Sequence, residues 1–461
     1  MGIMLIGIFK LLTVWLPLLA ICWRWLPLNG PGRAPFCLGL SGLWSLFLTG
    51  ALMWASLVLT GQILPWLPFG LIFLAFLVAF SVRAPRSEIS SEIPHRERVS
   101  SVSRAITIGL TVLILVRLAS LLPDVALRPL SAWDAWVVWA YEARVWFEAG
   151  RYVEFLPPQE WLTAPSEAWV RMTTVEYPRL IPSLILWMAM ADGAWSGVGP
   201  GLLWWAAAVF VTVMLFGLLR LLGLSVPWAL AGAYIWSSLP TISAHVALYG
   251  YADLWMAAAF ASFVAGLLLA TRSGGIYGWL LTALSLLVMP LIKVEGTYWL
   301  LVGVFAVVLG GFRPSIRELV FFMVFAVMCI WLSQRWGWDV LQWITQGRLG
   351  FNIDDWSQSL QVGVRHAFLW FDWHLLFYLA MAAIVASVYR PSLVEPFLTL
   401  TIFTVLAITL LWAVTPLTQA GAWLSEGRLF SRVSLHISPL LSIFSLLVAH
   451  QLWREYSARR D

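Results

Sequence analysis

Charged side chains are scarce in this chain. Only 11% of its 461 residues are Asp, Glu, Lys or Arg, while 61% are hydrophobic. A soluble domain carries about 25% charged residues, so this chain has too few to cover a surface that faces water. The deficit excludes a soluble fold, and it predicts an all-α polytopic membrane protein with about 12–14 transmembrane helices, most of whose surface faces lipid.

Cysteine is scarce as well, because the chain has only Cys22, Cys37 and Cys329. Their spacing excludes a disulfide framework and a zinc ribbon. The chain also lacks a soluble domain with a basic face. Its net charge of +5 comes from basic clusters that lie between apolar runs. Such clusters are typical of membrane orientation signals, and they predict that the protein does not bind nucleic acid.

Long apolar runs, by contrast, are abundant. They lie near 3–28, 36–60, 62–82, 105–127, 178–195, 201–221, 227–248, 251–271, 276–292, 296–311, 319–335, 374–389, 396–415 and 434–452. The first run has neither a charged start nor a small-residue cleavage site, and it carries Lys10, so we expect a retained span. We expect one membrane domain over 1–461, with three additional spans in 1–82, a core in 105–311 and further spans in 312–461.

Basic residues between the runs predict which loops are cytoplasmic. The stretch from Arg83 to Arg104 has five arginines against three glutamates, and the positive-inside rule places it in the cytoplasm. The loops 128–177, 336–373 and 416–432 then lie outside. This assignment requires that the short run 178–195, which contains Pro178 and Pro182, dips into the membrane without crossing it.

The external loop 128–177 begins with a tryptophan-rich segment. Four of its tryptophans recur at nearly helical spacing: Trp133, Trp136, Trp139 and Trp146. With Glu142 and Arg144 directed elsewhere, this spacing predicts an amphipathic helix in the outer interface. Asp134 would lie in its first turn, either in a capping box with Ser131 or as a carboxylate that accepts a proton from a hydroxyl group.

Several segments, in order, resemble bacterial members of the GT-C superfamily of glycosyltransferases. They are the tryptophan-rich segment with Asp134, Glu176-Tyr177-Pro178-Arg179, Tyr249-Gly250-Tyr251-Ala252-Asp253-Leu254, Lys293-Val294-Glu295-Gly296, and Arg428 to Pro439 with Arg432, Val433 and His436. The chain departs from the family pattern where Arg179 and Trp255 replace prolines. The three spans before residue 83 are additional to the usual start.

This resemblance implies that a sugar is transferred, with inversion, from a polyprenyl-phosphate donor to a glycan, lipid or protein acceptor. The reaction would take place on the non-cytoplasmic face of the inner membrane, with Asp134 as general base. Cations would stabilise the phosphate leaving group. The implied substrate-binding residues are Tyr177, Arg179, Tyr249, Asp253, Lys293, Glu295, Arg428 and Arg432.

Five of these residues also have a structural interpretation. Lys293 and Glu295 would form an ion pair at the end of a span, Arg428 and Arg432 would bind lipid headgroups, and Asp253 would cap a helix. Asp354 and Asp355, near Arg348, Arg365 and His366, would bind a divalent cation or an acceptor, or would belong to a solvated loop. Two acids are few for a divalent cation, which favours the solvated loop.

Two other functions remain open at this stage. The first alternative is a transporter or flippase of lipid-linked sugars, which would need paired broken helices and charges near the midplane. The second is a ligase-like or polymerase-like membrane enzyme whose site would lie in loop 336–373.

Overall fold

The computed structural model describes residues 2–82, 100–164, 168–170, 177–190, 195, 198–273, 276–309, 356–417, 420–427 and 429–459. Among these residues, seven helices are long and apolar enough to cross a bilayer. Five shorter apolar helices accompany them: Leu67–Ser81, Leu180–Ala189, Ile276–Ile292, Gly296–Leu309 and Leu376–Tyr389. The prediction of an all-α polytopic membrane protein is confirmed.

The chain divides into two compact units. Unit 1 comprises Met1–Ser237 and Ser243–Trp255, and unit 2 comprises Ser238–Ile242 and Met256–Asp461. That both units belong to one membrane domain stays a prediction. The predicted span 319–335 and residues Asp354 and Asp355 lie outside the described residues.

Unit 1 contains the helices of the first half of the chain. They are α1 (Gly2–Trp25), α2 (Arg33–Thr60), α3 (Leu67–Ser81), α4 (Ser101–Ser120), α5 (Leu122–Leu127), a π-helical turn (Ala135–Trp139) that continues into α6 (Ala140–Ala149), α7 (Pro158–Trp161), α8 (Leu180–Ala189), α9 (Val198–Leu221), α10 (Val226–Ser237) and most of α11 (Pro240–Ala247). A short parallel pair, β1 (Phe155–Leu156) and β2 (Trp169–Val170), aligns Phe155 with Trp169.

Helices α2 and α9 are antiparallel and pack closely through glycines. A Cβ atom on Gly39 would lie 2.4 Å from the carbonyl oxygen of Phe210, and one on Gly217 would lie 2.2 Å from the backbone nitrogen of Phe36. Small residues let membrane helices approach until their backbones touch, which explains why glycines occupy this interface. The apolar pattern of both helices was predicted, at 36–60 and 201–221.

One predicted span is interrupted. The run 227–248 forms α10 and α11, which are separated at Ser238 and Leu239, so the prediction of one continuous helix is wrong. Proline has no backbone N–H and is tolerated at the start of a helix but not inside it. Pro240 begins α11, and the chain therefore starts a new helix at this residue.

Helix α8 fits the predicted dip at 178–195. Its ten residues are all buried, and they rise only about 15 Å, roughly half of the hydrocarbon thickness. Lys10 in α1 donates a hydrogen bond of 2.5 Å to the carbonyl oxygen of Trp187 near the C-terminal end of α8. This contact explains the lysine within an otherwise apolar span.

Unit 2 contains most of α12 (Asp253–Ser273), then α13 (Ile276–Ile292), α14 (Gly296–Leu309), α15 (Trp356–Val364), α16 (Leu376–Tyr389), α17 (Leu398–Thr409), α18 (Ala420–Ser425) and α19 (Phe430–Ala458). The most apolar stretch of α12 is 89% buried, and so is that of α19. Gly266 brings α12 against α13, since a Cβ atom there would lie 2.6 Å from the backbone nitrogen of Thr282.

Candidate functional site

One end of unit 1 contains three of the segments that carry the resemblance, those with Asp134, Arg179 and Tyr249. The backbone N–H of Tyr152 donates to the carbonyl oxygen of Gly61 at the end of α2, over 2.9 Å. The Trp187 indole N–H donates to the carbonyl oxygen of Pro65, over 3.1 Å. The segment around Tyr152 and the C-terminal part of α8 therefore lie against the α2–α3 connection, at the end where α2 finishes and α9 begins.

Asp134 lies in the first turn of the tryptophan-rich helix, half-buried. The helix begins at Trp133, so the residue before it is Ala132, and Ser131 makes no side-chain hydrogen bond within the described residues. The predicted capping box is therefore wrong. Asp134 still has the position near a helix N-terminus that favours a negative charge.

The residue after Asp134 touches the motif that contains Asp253. Gly250 has φ of +107°, and a Cβ atom on it would lie 2.2 Å from the Cβ atom of Ala135. Only glycine has both the backbone freedom and the small size that this contact requires. The contact places the chain segment of Asp134 directly against the segment from Tyr249 to Asp253.

Tyr249 anchors this second segment. Its side chain is buried, and its hydroxyl group donates a hydrogen bond of 3.0 Å to the carbonyl oxygen of Arg128. Burial raises the pKa of Tyr249 to about 12, so its phenol stays neutral and donates at physiological pH. Trp204 in α9 supports the same segment, because its indole N–H donates to the carbonyl oxygen of Tyr251 over 2.8 Å.

Asp253 begins α12 and is fully buried. A carboxylate in the first turn of a helix interacts favourably with the helix dipole, which is the structural interpretation of this residue. Burial of a carboxylate is nevertheless expensive, which keeps the functional interpretation open.

Arg179 forms an ion pair that the sequence did not reveal. Its Nε lies 3.4 Å from Oε1 of Glu142. The Glu142 side chain is fully buried, while that of Arg179 is 16% exposed. The guanidinium carbon of Arg179 also lies 5.9 Å from the ring centroid of Trp54, a cation–π distance. Arg179 is thus held by a carboxylate and an aromatic ring.

Aromatic rings surround this ion pair. Trp54 and Trp146 are stacked with centroids 5.9 Å apart, and the ring of Tyr152 lies 6.0 Å from each of them. Tyr177, which was predicted to bind substrate, has its ring centroid 5.1 Å from that of Trp139. Burial raises the pKa of Tyr152, and the charge of Arg179 opposes this shift only in part.

The prediction that the four tryptophans share one face is wrong. Trp139 and Trp146 are buried, whereas Trp133 and Trp136 are 75% and 62% exposed. The π-helical turn at Ala135–Trp139 inserts an extra residue into the helical repeat, and it thereby rotates the first two rings away from the last two. Glu142 follows Trp139 by three residues and precedes Trp146 by four, so regular helical spacing places it inside with these two rings.

In unit 2, Lys293 and Glu295 form the ion pair that their spacing predicted. Lys293 Nζ lies 3.0 Å from Glu295 Oε1 in the turn between α13 and α14, and the Lys293 side chain is 1% exposed. Gly296 closes this turn, since a Cβ atom on it would lie 2.1 Å from the carbonyl oxygen of Met289.

A hydrogen bond joins this turn region to the C-terminal motif. The Trp299 indole N–H donates to Nδ1 of the buried His436 over 3.1 Å, across 137 positions of sequence. Arg432 lies one helical turn before His436 and is half-buried. The helix that follows the Lys293–Gly296 motif therefore contacts the C-terminal motif within unit 2. Arg428 lies outside the described residues.

His366 has two partners that its sequence neighbourhood did not reveal, Asp372 and Ser431. Nδ1 of His366 lies 2.8 Å from Asp372 Oδ2 and 3.0 Å from Ser431 Oγ. Both contacts use the same ring nitrogen, so Ser431 does not have the geometry of a nucleophile activated by Nε2. Phe371 and His374, on either side of Asp372, have positive φ angles of 60° and 47°.

A metal centre is not evident in the described part of the chain, where no group of three or more His, Cys, Asp and Glu side chains could hold an ion. The acids Asp354 and Asp355 lie outside that part. Comparison of the chain with protein-family models, with curated proteins and with solved structures finds no match.

Proposed function

We propose that this protein is a membrane glycosyltransferase. It moves a sugar from a polyprenyl-phosphate donor to an acceptor of the cell envelope, on the non-cytoplasmic face of the plasma membrane and with inversion. Asp134 acts as the general base that removes the proton of the acceptor hydroxyl group. The resemblance of the motifs is the origin of this proposal.

The contact of Ala135 with Gly250 is the observation that supports it most. One motif contains Asp134, and the other contains Tyr249 and Asp253. They are distant in sequence, but they touch at the end of unit 1 where α2 finishes and α9 begins. A transferase needs its base and its substrate contacts within reach of one reacting centre. If Asp134, Tyr249 and Asp253 had only separate structural roles, their two motifs would not need to touch.

The charges at the opposite end of unit 1 support the orientation. Arg24 donates to the carbonyl oxygen of Val82 at the end of α3, over 3.0 Å. Gly32, next to Arg33, lies against the end of α9, where a Cβ atom would be 2.8 Å from Cβ of Arg220. This arginine-rich end continues into the basic stretch 83–104, and the positive-inside rule assigns it to the cytoplasm. The end with Asp134 then faces outward.

Arg179 is the donor-phosphate ligand that we favour in unit 1. The negative charge of Glu142 and the ring of Trp54 hold its guanidinium in one orientation, and a preorganised cation stabilises charge that develops on a leaving phosphate. The neighbouring rings of Trp54, Trp146 and Tyr152 offer apolar faces for a sugar or an isoprenoid chain. Lys293, Glu295, Arg428 and Arg432 are assigned to the donor by the resemblance alone.

The interruption between α10 and α11 favours the transporter as a second candidate, because transporters use broken helices at their binding sites. The side on which lipid-linked sugar accumulates separates the two functions. In cells without the protein, loss of a transferase leaves its donor on the outer leaflet, where a membrane-impermeant periodate treatment oxidises it. Protected donor on the inner leaflet would contradict the transferase and support the flippase.

A further inference from the structure

The three N-terminal helices form an open apolar cavity of about 570 Å³. Its walls include Leu16 and Leu19 of α1, Leu38 of α2 and Phe80 of α3, and Trp23 and Arg24 also line it. Trp23 and Arg24 lie at the end of α1, so the cavity reaches the arginine-rich end of unit 1. None of its lining residues belongs to the proposed transferase site.

Arg24 lies at this end of the cavity, held in place by α3. Its guanidinium donates to the carbonyl oxygens of Phe80 and Val82, over 3.4 and 3.0 Å. The guanidinium carbon lies 4.7 Å from the centroid of the Phe80 ring. The Nε–H group is buried and has no acceptor among the described residues.

Arg33 is held in the same way by Trp23, the residue next to Arg24. Its guanidinium donates to the carbonyl oxygen of Trp23 and lies 4.7 Å from the centroid of the Trp23 ring. Its Nε–H group is likewise buried without an acceptor in the described part of the chain. Two guanidinium groups that are held in fixed orientations therefore lie at one end of an apolar cavity.

We propose that this cavity binds one anionic phospholipid of the cytoplasmic leaflet. An acyl chain fills the apolar part between α1, α2 and α3, and the phosphate accepts hydrogen bonds from Arg24 and Arg33. Planar guanidinium groups suit phosphate oxygens, and their fixed orientation reduces the entropy lost on binding. The surplus positive charge selects an anionic headgroup over a zwitterionic one.

Charge and shape together distinguish this ligand from free phosphate. A small anion would meet the two arginines but would leave the apolar walls empty. A neutral lipid would fill the walls but would leave the two guanidinium charges without a counterion. Only a ligand with both an apolar chain and an anionic group satisfies both parts.

Native mass spectrometry of the full-length protein, released from detergent, tests this proposal by counting the phosphatidylglycerol and phosphatidylcholine molecules that stay bound. We expect one high-affinity phosphatidylglycerol per chain, bound at least tenfold more tightly than phosphatidylcholine. The Arg24→Gln/Arg33→Gln variant should lose this preference. Arg128→Gln, which removes an exposed cation at the other end of unit 1, should retain it.

Leu38→Trp fills the cavity while both arginines stay, and it should weaken phosphatidylglycerol binding at least fivefold. It is also the variant of choice if the double arginine variant does not fold. Inorganic phosphate at millimolar concentration should not displace the lipid. Equal binding of the two lipids, full displacement by inorganic phosphate, or unchanged binding in Leu38→Trp would each overturn the proposal.

Discussion

Arg179 and Glu142 form an ion pair in which the carboxylate is fully buried and the guanidinium is nearly so, with 3.4 Å between Nε and Oε1. The pair joins the N-terminal end of the buried helix α8 to the tryptophan-rich helix that carries Asp134. It therefore fixes the tryptophan-rich helix against α8 within unit 1.

Removal of one partner should be costly. Glu142→Ala leaves the Arg179 charge buried without its carboxylate, and we expect the free energy of unfolding to fall by about 3 kcal/mol. Glu148→Ala on the same helix is the matched control, because its ion pair with Arg144 is exposed and exposed pairs contribute about 0–1 kcal/mol. Denaturation in detergent micelles, followed by tryptophan fluorescence, measures both values. Equal losses in the two variants would show that the buried pair does not hold the helix.

The contact at Gly250 should be just as sensitive. Gly250→Ala combines the strain of a positive φ with a clash against Ala135, so we expect misfolding or loss of activity. Gly150→Ala is the control, since Gly150 has φ of +67° but open space around it, and it should cost about 1–2 kcal/mol.

A compensating substitution makes the test specific. Ala135→Gly removes the methyl group that the new side chain would meet. The Gly250→Ala/Ala135→Gly double variant should therefore recover part of the stability, with a coupling energy of about 1 kcal/mol or more. Additive effects of the two substitutions would contradict the close approach of these segments.

Lys10 should stabilise α8 through its hydrogen bond to Trp187. Lys10→Met keeps the apolar part of the side chain but leaves a carbonyl group near the end of a buried helix without its charged donor. We expect a loss of about 1.5–3 kcal/mol. Phe9→Ala, at a neighbouring residue that is 63% exposed, should change thermal stability much less, and a similar change in both would contradict this role of Lys10.

Tyr249 should resist ionisation. Burial raises its pKa to about 12, whereas the pKa of a tyrosine in an unfolded chain is about 10. The stabilisation linked to this neutral phenol is complete below pH 10 and is lost as the pH rises through 12. Absorbance at 295 nm of wild type minus Tyr249→Phe should show no ionisation of this residue at pH 10.5, and ionisation there would mean that the phenol is accessible to water.

Hydropathy was sufficient to predict most helices, because a span must be continuously apolar and its ends are marked by arginines. It was not sufficient to predict contacts between segments. The π-helical turn at Ala135–Trp139, which separates Trp133 and Trp136 from Trp139 and Trp146, has no sequence signal that we could read. The pairing of Glu142 with Arg179, and that of Trp299 with His436, depends on helix packing that one sequence does not reveal.

The motif residues illustrate the same limit within the candidate site. The resemblance predicted that Asp134, Tyr177, Arg179, Tyr249 and Asp253 belong to segments that form one site. The glycine contact at Gly250 and the aromatic ring of Trp54 became visible only in three dimensions, since both combine elements from distant parts of the chain.

The proposed role of Asp134 is tested most directly by the lipids of cells that express no protein, wild type or Asp134→Asn at equal protein level. Loss of a general base lowers the rate about 10²–10⁴-fold, so Asp134→Asn should accumulate the same polyprenyl-phosphate sugar as cells without the protein. Asp124→Asn, which removes the carboxylate of the ion pair with Arg128 at the same end of unit 1, should behave like wild type. A wild-type lipid profile in Asp134→Asn would contradict the account.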